Sequence, residues 1–332
     1  MAADSNSPTL APPGLAPGAL PEFPVRLAPP DLDPWRAGNT GVPGFTMRDS
    51  GLPGPHVVLM SLMHGNEIAG AVALDRLLRA DLTPLRGKLT FGFANLAAFD
   101  RFDERQPTQS RFIDEDLNRV WDDETLDGAR KSHELDRARE MRALIDQADL
   151  LLDLHSMLWP SNPLSLCGRS DKGRALACAI GTPELVVADD GHAAGRRLID
   201  YAPFLRADTR NAAVLVEAGQ HWEERTVENA LDAVAGLLRH AGQIETHGAL
   251  PAPLPSRQRV ASVSQTITVQ SGKFAFQHAY RGGDVVRHRD TLIAHDGTAE
   301  IRTPHDDCLL VMPSLRPSRG QTAVRLARFV DV

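Results

Sequence analysis

Short apolar runs alternate with amphipathic segments over the first two-thirds of the chain. Pro55 to Met60 is mostly apolar and predicts a buried strand, and Ile68 to Leu78 has apolar residues at helical spacing. A further apolar run, Leu89 to Ala94, predicts the next strand. Strand, helix and strand at this spacing form a βαβ unit, which indicates a mostly parallel sheet.

The same alternation continues to about residue 240, so we predict one α/β domain with a mixed, mostly parallel sheet flanked by helices. Residues 111–121 and 192–211 are polar or irregular and are predicted to be loops. The predicted strands are 148–156, 164–168, 184–188 and 212–219, and the predicted helices are 134–148, 172–180 and 226–240.

The two ends of the chain have a different character. Residues 1–30 are rich in Pro and Ala, which predicts a flexible leader, and Pro251 to Pro255 indicates a linker. Short strand-like runs separated by Gly-containing turns follow and predict a small β domain. We therefore expect a leader over 1–30, an α/β domain over 31–245 and an all-β domain over 246–332. The β domain contains four histidines without ligand spacing, which we predict to be surface residues: His278, His288, His295 and His305.

Composition excludes several classes of function. The chain of 332 residues has a formal charge of -7 and no basic stripe, which argues against a nucleic-acid partner. No apolar run reaches about 18 residues, so no membrane span is expected, and no secretory signal is visible. Three scattered cysteines imply no disulfide framework. We expect a cytoplasmic protein, and whether it forms a homo-oligomer is left open.

A histidine and a glutamate follow the strand that ends near Met60. His64 and Glu67 are three residues apart where a helix begins, so their side chains face the same side of the first turn and can reach one ion. An imidazole and a carboxylate suit Zn²⁺, which in catalytic sites takes three protein ligands and a water. Because His-x-x-Glu alone is a weak motif, the hypothesis needs a third ligand.

Two later strands carry polar residues to the same edge of the predicted sheet. His155 follows an apolar run, and Glu217 ends another. A lone histidine in this position is more often structural, but its arrival beside His64 and Glu67 favours a site, because ligands bind at the carboxyl ends of parallel strands. Asp153 lies on the same strand face as His155 and is expected either to orient its ring or to bond to nearby backbone.

Two polar segments supply arginines. Arg111, Asn118 and Arg119 have the chemistry to clamp a carboxylate, because guanidinium groups match that shape with paired hydrogen bonds. The alternative is a solvated loop with local Asp–Arg pairs. The irregular segment 192–211 is either a solvated connection or a pocket wall. Its polar residues include Arg196, Arg197, Tyr201, Arg206 and Arg210.

Four blocks of the sequence, taken in order, resemble the succinylglutamate desuccinylase/aspartoacylase family, which belongs to the zinc carboxypeptidase-like metallohydrolases. The resemblance covers about residues 40–330, including the small β domain. It implies one Zn²⁺ per chain, held by His64, Glu67 and His155 with water in the fourth position. The blocks are His64-Gly65-Asn66-Glu67, Arg111 with Asn118-Arg119, Asp153-Leu154-His155, and Glu217 ahead of Ala-Gly.

The resemblance also implies an activity and a set of roles. The reaction would be hydrolysis of the amide bond of an N-acyl amino acid or a similar acylated amine to a carboxylate and a free amine. The alternatives are a zinc carboxypeptidase acting on peptides and a non-catalytic metal-binding protein, and the acyl group and the amine stay open. The implied roles are general base for Glu217, oxyanion stabilisation for Arg111, binding of the free carboxylate for Asn118 and Arg119, and recognition of a second acidic group for Tyr201, Arg206 and Arg210.

Overall fold

The computed structural model describes residues 24–192, 194–253 and 258–331. The chain divides into a larger unit, residues 25–158 and 163–261, and a smaller unit that includes residues 159–162 and 262–329. Most of the predicted leader, residues 1–23, lies outside the described residues. None of the helices in the described part of the chain is long and apolar enough to cross a membrane.

A mixed sheet forms the centre of the larger unit. Within the described residues its strands are β1 Phe45–Asp49, β2 His56–Ser61, β3 Lys88–Phe93, β4 Leu150–Met157, β5 Leu164–Leu166, β6 Leu185–Ala188 and β7 Ala212–Gln220. Their order is β1-β3-β2-β4-β7-β5-β6. Strands β3, β2, β4 and β7 pair in parallel, whereas β1 is antiparallel to β3 and β5 is antiparallel to β7. The predicted fold class, a mostly parallel sheet with flanking helices, is confirmed.

Helices follow the strands in βαβ connections. They are α1 Ile68–Arg79, α2 Leu96–Phe99, α3 Asp123–Asp127, α4 His133–Ile145, α5 Asp171–Ile180, α6 Ala202–Leu205 and α7 Glu224–His240. Several begin at a side chain that accepts a hydrogen bond from a backbone N–H of the first turn, as Ser132 does for α4 and Ser170 for α5. The loop predicted over 111–121 is without an α-helix but contains the 3₁₀ turn Leu117–Arg119.

Every residue of β2 and β7 is buried, because both faces of a parallel sheet are covered. Gly70 helps α1 to lie close to this sheet: a Cβ there would come within 3.0 Å of Leu154 Cβ and 3.1 Å of Ser61 Cβ. In such strands a charged side chain has no access to bulk water. Each one therefore needs a specific partner.

The smaller unit is all-β in its described residues. Its strands are β8 Arg259–Thr268, which crosses the boundary, β9 Phe274–Phe276, β10 Val285–Val286, β11 Leu292–Asp296, β12 Ala299–Arg302, β13 Cys308–Val311 and β14 Thr322–Val330. They lie in the orders β8-β14-β13-β10 and β12-β11-β9. The sequence did not predict β10, which has two residues, or β14, in which the buried Arg325 interrupts the apolar pattern.

One prediction for this unit is wrong. His305 is 6% exposed, and its Nε2 lies 2.9 Å from Ser264 Oγ, so it is a buried structural residue and not a surface one. Its ring fills an interior position because both nitrogens have partners: Nδ1 lies 3.0 Å from the Asp306 carbonyl oxygen.

Candidate metal centre

The parallel strands β2, β4 and β7 bring three functional groups to one edge of the sheet. The turn after β2 carries His64 and Glu67, and β4 carries His155 near its carboxyl end. Glu217 on β7 is the direct register partner of His155, so the two residues lie on neighbouring strands about 4.8 Å apart. The expectation that these residues meet at the carboxyl ends of the strands agrees with this arrangement.

His64, Glu67 and His155 form a compact group that we call the ligand cluster. One ligand atom from each residue lies within 4.8 Å of the others, and the three residues are 3–4% exposed. His64 Nδ1 is 2.7 Å from Glu67 Oε1, and His155 Nδ1 is 2.9 Å from Glu67 Oε2. Zinc binds such atoms at about 2.0–2.2 Å, so the ligand atoms of one tetrahedral site lie roughly 3–4 Å apart. The two imidazoles and the carboxylate lie close enough together to share one ion.

A second carboxylate orients each imidazole from its far side. His64 Nε2 lies 2.8 Å from Asp116 Oδ1, and His155 Nε2 lies 2.9 Å from Asp153 Oδ2. Each imidazole thus has a carboxylate at both ring nitrogens, and Nδ1 is the nitrogen that faces Glu67 and the common centre. Of the two expectations for Asp153, orientation of the ring is the one observed. Asp116 was not predicted, since no pattern connects residues 52 positions apart.

Arg111 lies directly beside the ligand cluster. Its Nη1 donates to Glu67 Oε1 at 3.1 Å and its Nη2 donates to Asp116 Oδ2 at 3.2 Å. The Arg111 side chain is 36% exposed, so it is only half-buried beside the cluster. The sequence left open whether this loop forms a clamp or local Asp–Arg pairs. The Arg111–Asp116 pair does form, but it lies in contact with the ligand cluster and not at a solvated surface.

Glu217 is a buried carboxylate that lacks a full set of hydrogen-bond partners. It is 7% exposed, and no residue in the described part of the chain forms a hydrogen bond with its Oε2. Burial, aided by the negative charge of Glu67, raises the pKa of Glu217 to about 8. A nearby divalent cation would lower this pKa again, because it favours the charged form.

The carboxylates around the two imidazoles outnumber the guanidinium groups by four to two. Protons offset the excess negative charge: burial raises the pKa of Glu217 to about 8, and the carboxylates of Asp153 and Glu67, acting against burial, raise the pKa of His155. A divalent cation bound at this centre would take the place of such protons. The donor set of two imidazoles and a carboxylate therefore suits Zn²⁺ in its chemistry. The carboxylates are Glu67, Asp116, Asp153 and Glu217, and the guanidinium groups are Arg111 and Arg119.

Asn118 and Arg119 lie next to the cluster in the same loop. Asn118 is 2% exposed; its Oδ1 accepts from the Leu198 N–H at 2.7 Å, and its Nδ2 is 3.3 Å from His155 Nε2. Arg119 Nη2 is 3.7 Å from Asp116 Oδ2, and the side chain is 20% exposed. Asn118 therefore abuts the ligand cluster, while Arg119 is the more accessible of the two.

The structure does not bring Tyr201, Arg206 or Arg210 to the ligand cluster. The Tyr201 hydroxyl accepts from Arg142 Nε at 2.9 Å and donates to Asp146 Oδ1 at 2.8 Å, at the end of α4. Arg206 is exposed and pairs with Asp208. Arg210 is exposed ahead of β7, and five strand residues, about 16 Å, separate the start of β7 from Glu217.

The turn after β7 supplies two further residues that the sequence did not single out. His221 is 3% exposed, its Nδ1 lies 2.7 Å from Ser156 Oγ, and burial lowers the pKa of His221 to about 4. Trp222 Nε1 donates to the Asn66 carbonyl oxygen at 3.1 Å. Since Asn66 precedes Glu67, and the Ser156 N–H donates to Glu67 Oε2 at 3.0 Å, this turn braces the central ligand from two sides.

Comparison with known proteins places the site in a family context. Residues 53–241 match the family model described as the succinylglutamate desuccinylase/aspartoacylase catalytic domain. Among curated protein sequences, none matches the chain.

Solved structures share the fold at low sequence identity. Succinylglutamate desuccinylase from Vibrio cholerae has 18% identity and a TM-score of 0.64 over 87% of this chain and 86% of that chain. The enzyme of that name from Chromobacterium violaceum has 16% identity and a TM-score of 0.62 over 87% and 89%. The product-bound ectoine utilization protein EutE (DoeB) from Ruegeria pomeroyi has 18% identity and a TM-score of 0.58 over 86% and 88%. At this level of identity the likeness establishes the fold.

Proposed function

Because this chain belongs to the succinylglutamate desuccinylase/aspartoacylase family, whose members remove acyl groups from amino acids, we propose that it is a zinc-dependent deacylase. Its substrate would be an N-acyl amino acid or a similar small acylated amine, and its products a carboxylate and a free amine. The observation that carries the proposal is the ligand cluster, in which His64 and His155 turn Nδ1 towards Glu67, with Glu217 in register beside it.

The bound zinc would polarise the scissile carbonyl and activate the water that attacks it. Glu217 is the general base: it takes a proton from the attacking water and passes it to the leaving nitrogen as the C–N bond breaks. Its neighbour in register, His155, keeps this carboxylate beside the metal ligands. A water hydroxyl thus goes to the acyl carbon and a proton to the amine, which balances the hydrolysis.

Arg111 stabilises the negative charge that develops on the carbonyl oxygen. Its guanidinium group is held by Glu67 and Asp116, so it is oriented in advance, and the side chain as a whole is 36% exposed. Asn118 and Arg119 bind the free carboxylate of the substrate, with the accessible Arg119 making the charge-assisted contact. The contacts of Tyr201 and Arg206, and the exposed position of Arg210 ahead of β7, support no role for these residues at this centre.

The product-bound EutE (DoeB) structure and the named desuccinylases show that this fold serves more than one named protein. We therefore leave the acyl group and the amine to experiment. We retain residues 31–245 as the proposed catalytic domain and 246–332 as the proposed small β domain, with a leader ahead of them.

The test is metal content of the purified protein together with amine release from a panel of substrates. The panel contains acetyl and succinyl derivatives of acidic, neutral and basic amino acids, and peptides with a blocked amino terminus. We expect about one zinc per chain and release from one class of N-acyl amino acid. A chelator should abolish release, and zinc should restore it.

The alternatives give different results in the same assay. Release of the C-terminal residue from blocked peptides, without release from N-acyl amino acids, would favour a carboxypeptidase. Zinc binding without release from any substrate would favour a non-catalytic metal-binding protein. Failure to bind zinc after reloading would refute the assignment of His64, Glu67 and His155 as ligands.

A further inference from the structure

A buried carboxylate outside the ligand cluster holds the loop that carries Arg111 and Asp116. Glu134 lies in the first turn of α4 and is 0% exposed. Its Oε1 accepts from the Ile113 N–H at 2.6 Å and from Asn95 Nδ2 at 3.0 Å, and its Oε2 accepts from the Asp114 N–H at 3.0 Å and the Glu115 N–H at 3.2 Å. Three consecutive backbone amides thus converge on one side chain.

The character of these partners explains how Glu134 stays buried. Its four hydrogen bonds come from neutral N–H groups, and its place in the first turn of α4 puts its charge at the positive end of the helix dipole. A buried carboxyl group is tolerated when its oxygens accept several hydrogen bonds. The loop therefore closes around a side chain supplied by the protein itself.

The three amides lie between the two side chains that reach the ligand cluster. Arg111 is two residues before Ile113, and Asp116 directly follows Glu115. Arg111 is also fixed at its own backbone, because its carbonyl oxygen accepts from the Gly65 N–H at 3.1 Å. A Cβ at Gly65 would lie 2.4 Å from Phe99 N and 2.5 Å from Ser110 O, so the metal-binding turn and this loop pack in direct contact.

We propose that Glu134 is a positioning residue for the metal centre. By holding residues 113–115, it keeps Asp116 in contact with His64 and Arg111 in contact with Glu67. This inference rests on the proposed deacylase function for its effect on turnover, but its effect on metal affinity is independent of any substrate.

Glu134→Gln tests the proposal because it preserves size while replacing one acceptor oxygen with an NH₂ group. The NH₂ group would face the backbone N–H groups of the loop. Because two donors cannot form a hydrogen bond, the loop would shift. Outer partners of metal ligands typically change metal affinity or activity by about 10–100-fold when removed, so we expect zinc affinity and kcat each to fall by about tenfold or more. Hydrogen exchange of the peptide covering residues 111–119 should rise in the metal-free protein.

Asp296→Asn is the matched control. Asp296 also accepts two consecutive backbone N–H groups, from Gln270 at 2.6 Å and Ser271 at 3.0 Å, but it belongs to the smaller unit. We expect this variant to lose local exchange protection around residues 270–271 and to keep wild-type zinc affinity. An equal loss of zinc affinity in both variants would overturn the positioning role, because it would reflect general destabilisation.

A double-mutant cycle with Asp116→Asn shows whether Glu134 acts on zinc affinity through Asp116 or through Arg111. If Glu134 sets zinc affinity through Asp116, the double variant should lose much less affinity than the product of the two single effects. Independent, multiplicative losses would refute that route. Should Glu134→Gln fail to fold, Glu134→Asp, which keeps the charge but shortens the reach, takes its place, and wild-type affinity and kcat in that variant would overturn the proposal.

The outcomes also separate this inference from the proposed reaction. If the wild type releases amine, and Glu134→Gln has the zinc affinity and kcat of the wild type, the role of Glu134 is overturned and the deacylase assignment stands. Zinc binding without amine release by the wild type would overturn the deacylase, whereas reduced zinc affinity in Glu134→Gln would still support the role of Glu134.

Discussion

The larger unit contains two buried networks of arginine and carboxylate side chains. They differ in how many of their carboxylate oxygens accept a hydrogen bond. Arg197 is 3% exposed and donates from Nη1 and Nη2 to both oxygens of Asp189, at 2.9 and 2.7 Å. It also donates from Nε and Nη2 to both oxygens of Asp200, at 2.7 and 3.2 Å. All four carboxylate oxygens accept from one guanidinium group.

The ligand cluster and its surroundings have the same residue types without that match. Among the described residues, Glu217 Oε2 and Asp153 Oδ1 have no hydrogen-bond partner. A matched network, one whose carboxylate oxygens all accept hydrogen bonds, holds a loop in place. Carboxylate oxygens without a partner are instead consistent with the proposed metal site, where a further ligand or cation would bind.

The largest effect should come from Glu217→Gln, which removes the unmatched carboxylate and keeps its shape. A general base is worth about 10²–10⁴-fold, so we expect kcat to fall by about 10³-fold. Zinc content should stay at the wild-type level, because Glu217 is not one of the three ligands. Metal analysis and steady-state kinetics on the same preparation check both points, and undiminished turnover would disprove the role.

Breaking the matched network should affect folding more than zinc binding. Arg197→Met leaves Asp189 and Asp200 buried without their guanidinium partner, and we expect the free energy of unfolding to fall by about 3–5 kcal/mol. Denaturant unfolding in the presence of a chelator measures this without a contribution from metal. Arg206→Ala, which breaks an exposed pair with Asp208, is the control and should leave Tm unchanged. Similar losses in both variants would contradict the contrast between the networks.

Arg119→Ala should produce an intermediate effect, confined to substrates with a free carboxylate. A hydrogen bond to a charged group contributes about 1.5–3 kcal/mol, so KM should rise by about 10–100-fold for such substrates. The amidated analogue, which lacks the charge, should show almost no change. If both substrates lose equally, Arg119 acts on the structure of the loop and not on the carboxylate.

The smallest effect is expected for Tyr201→Phe. The variant loses the hydrogen bonds of the hydroxyl with Arg142 and Asp146, which should lower the free energy of unfolding by about 1 kcal/mol. KM and kcat should stay at wild-type values, because this hydroxyl is bound to α4. A clear rise in KM would instead restore Tyr201 to the substrate-binding group that the family resemblance implied.

Local sequence was enough to predict most of the larger unit. The apolar runs predicted β2, β3, β4 and β7, because strands covered on both faces must be apolar along their whole length. The same reasoning drew attention to His155 and Glu217, since a charged residue in such a strand is exceptional. In the smaller unit, β14 escaped prediction because Arg325 lies buried within it, and a buried charge breaks the pattern on which prediction depends.

What the sequence by itself determined is the order of the elements and the identity of the residues that reach the carboxyl edge of the sheet. Only the tertiary structure decided which partners those residues have. Asp116 and Glu134 act on residues far away in the chain, and Tyr201 turns to α4. Periodicity records which face a side chain occupies, but the pairing of buried charges depends on distances that form only when separate elements pack together.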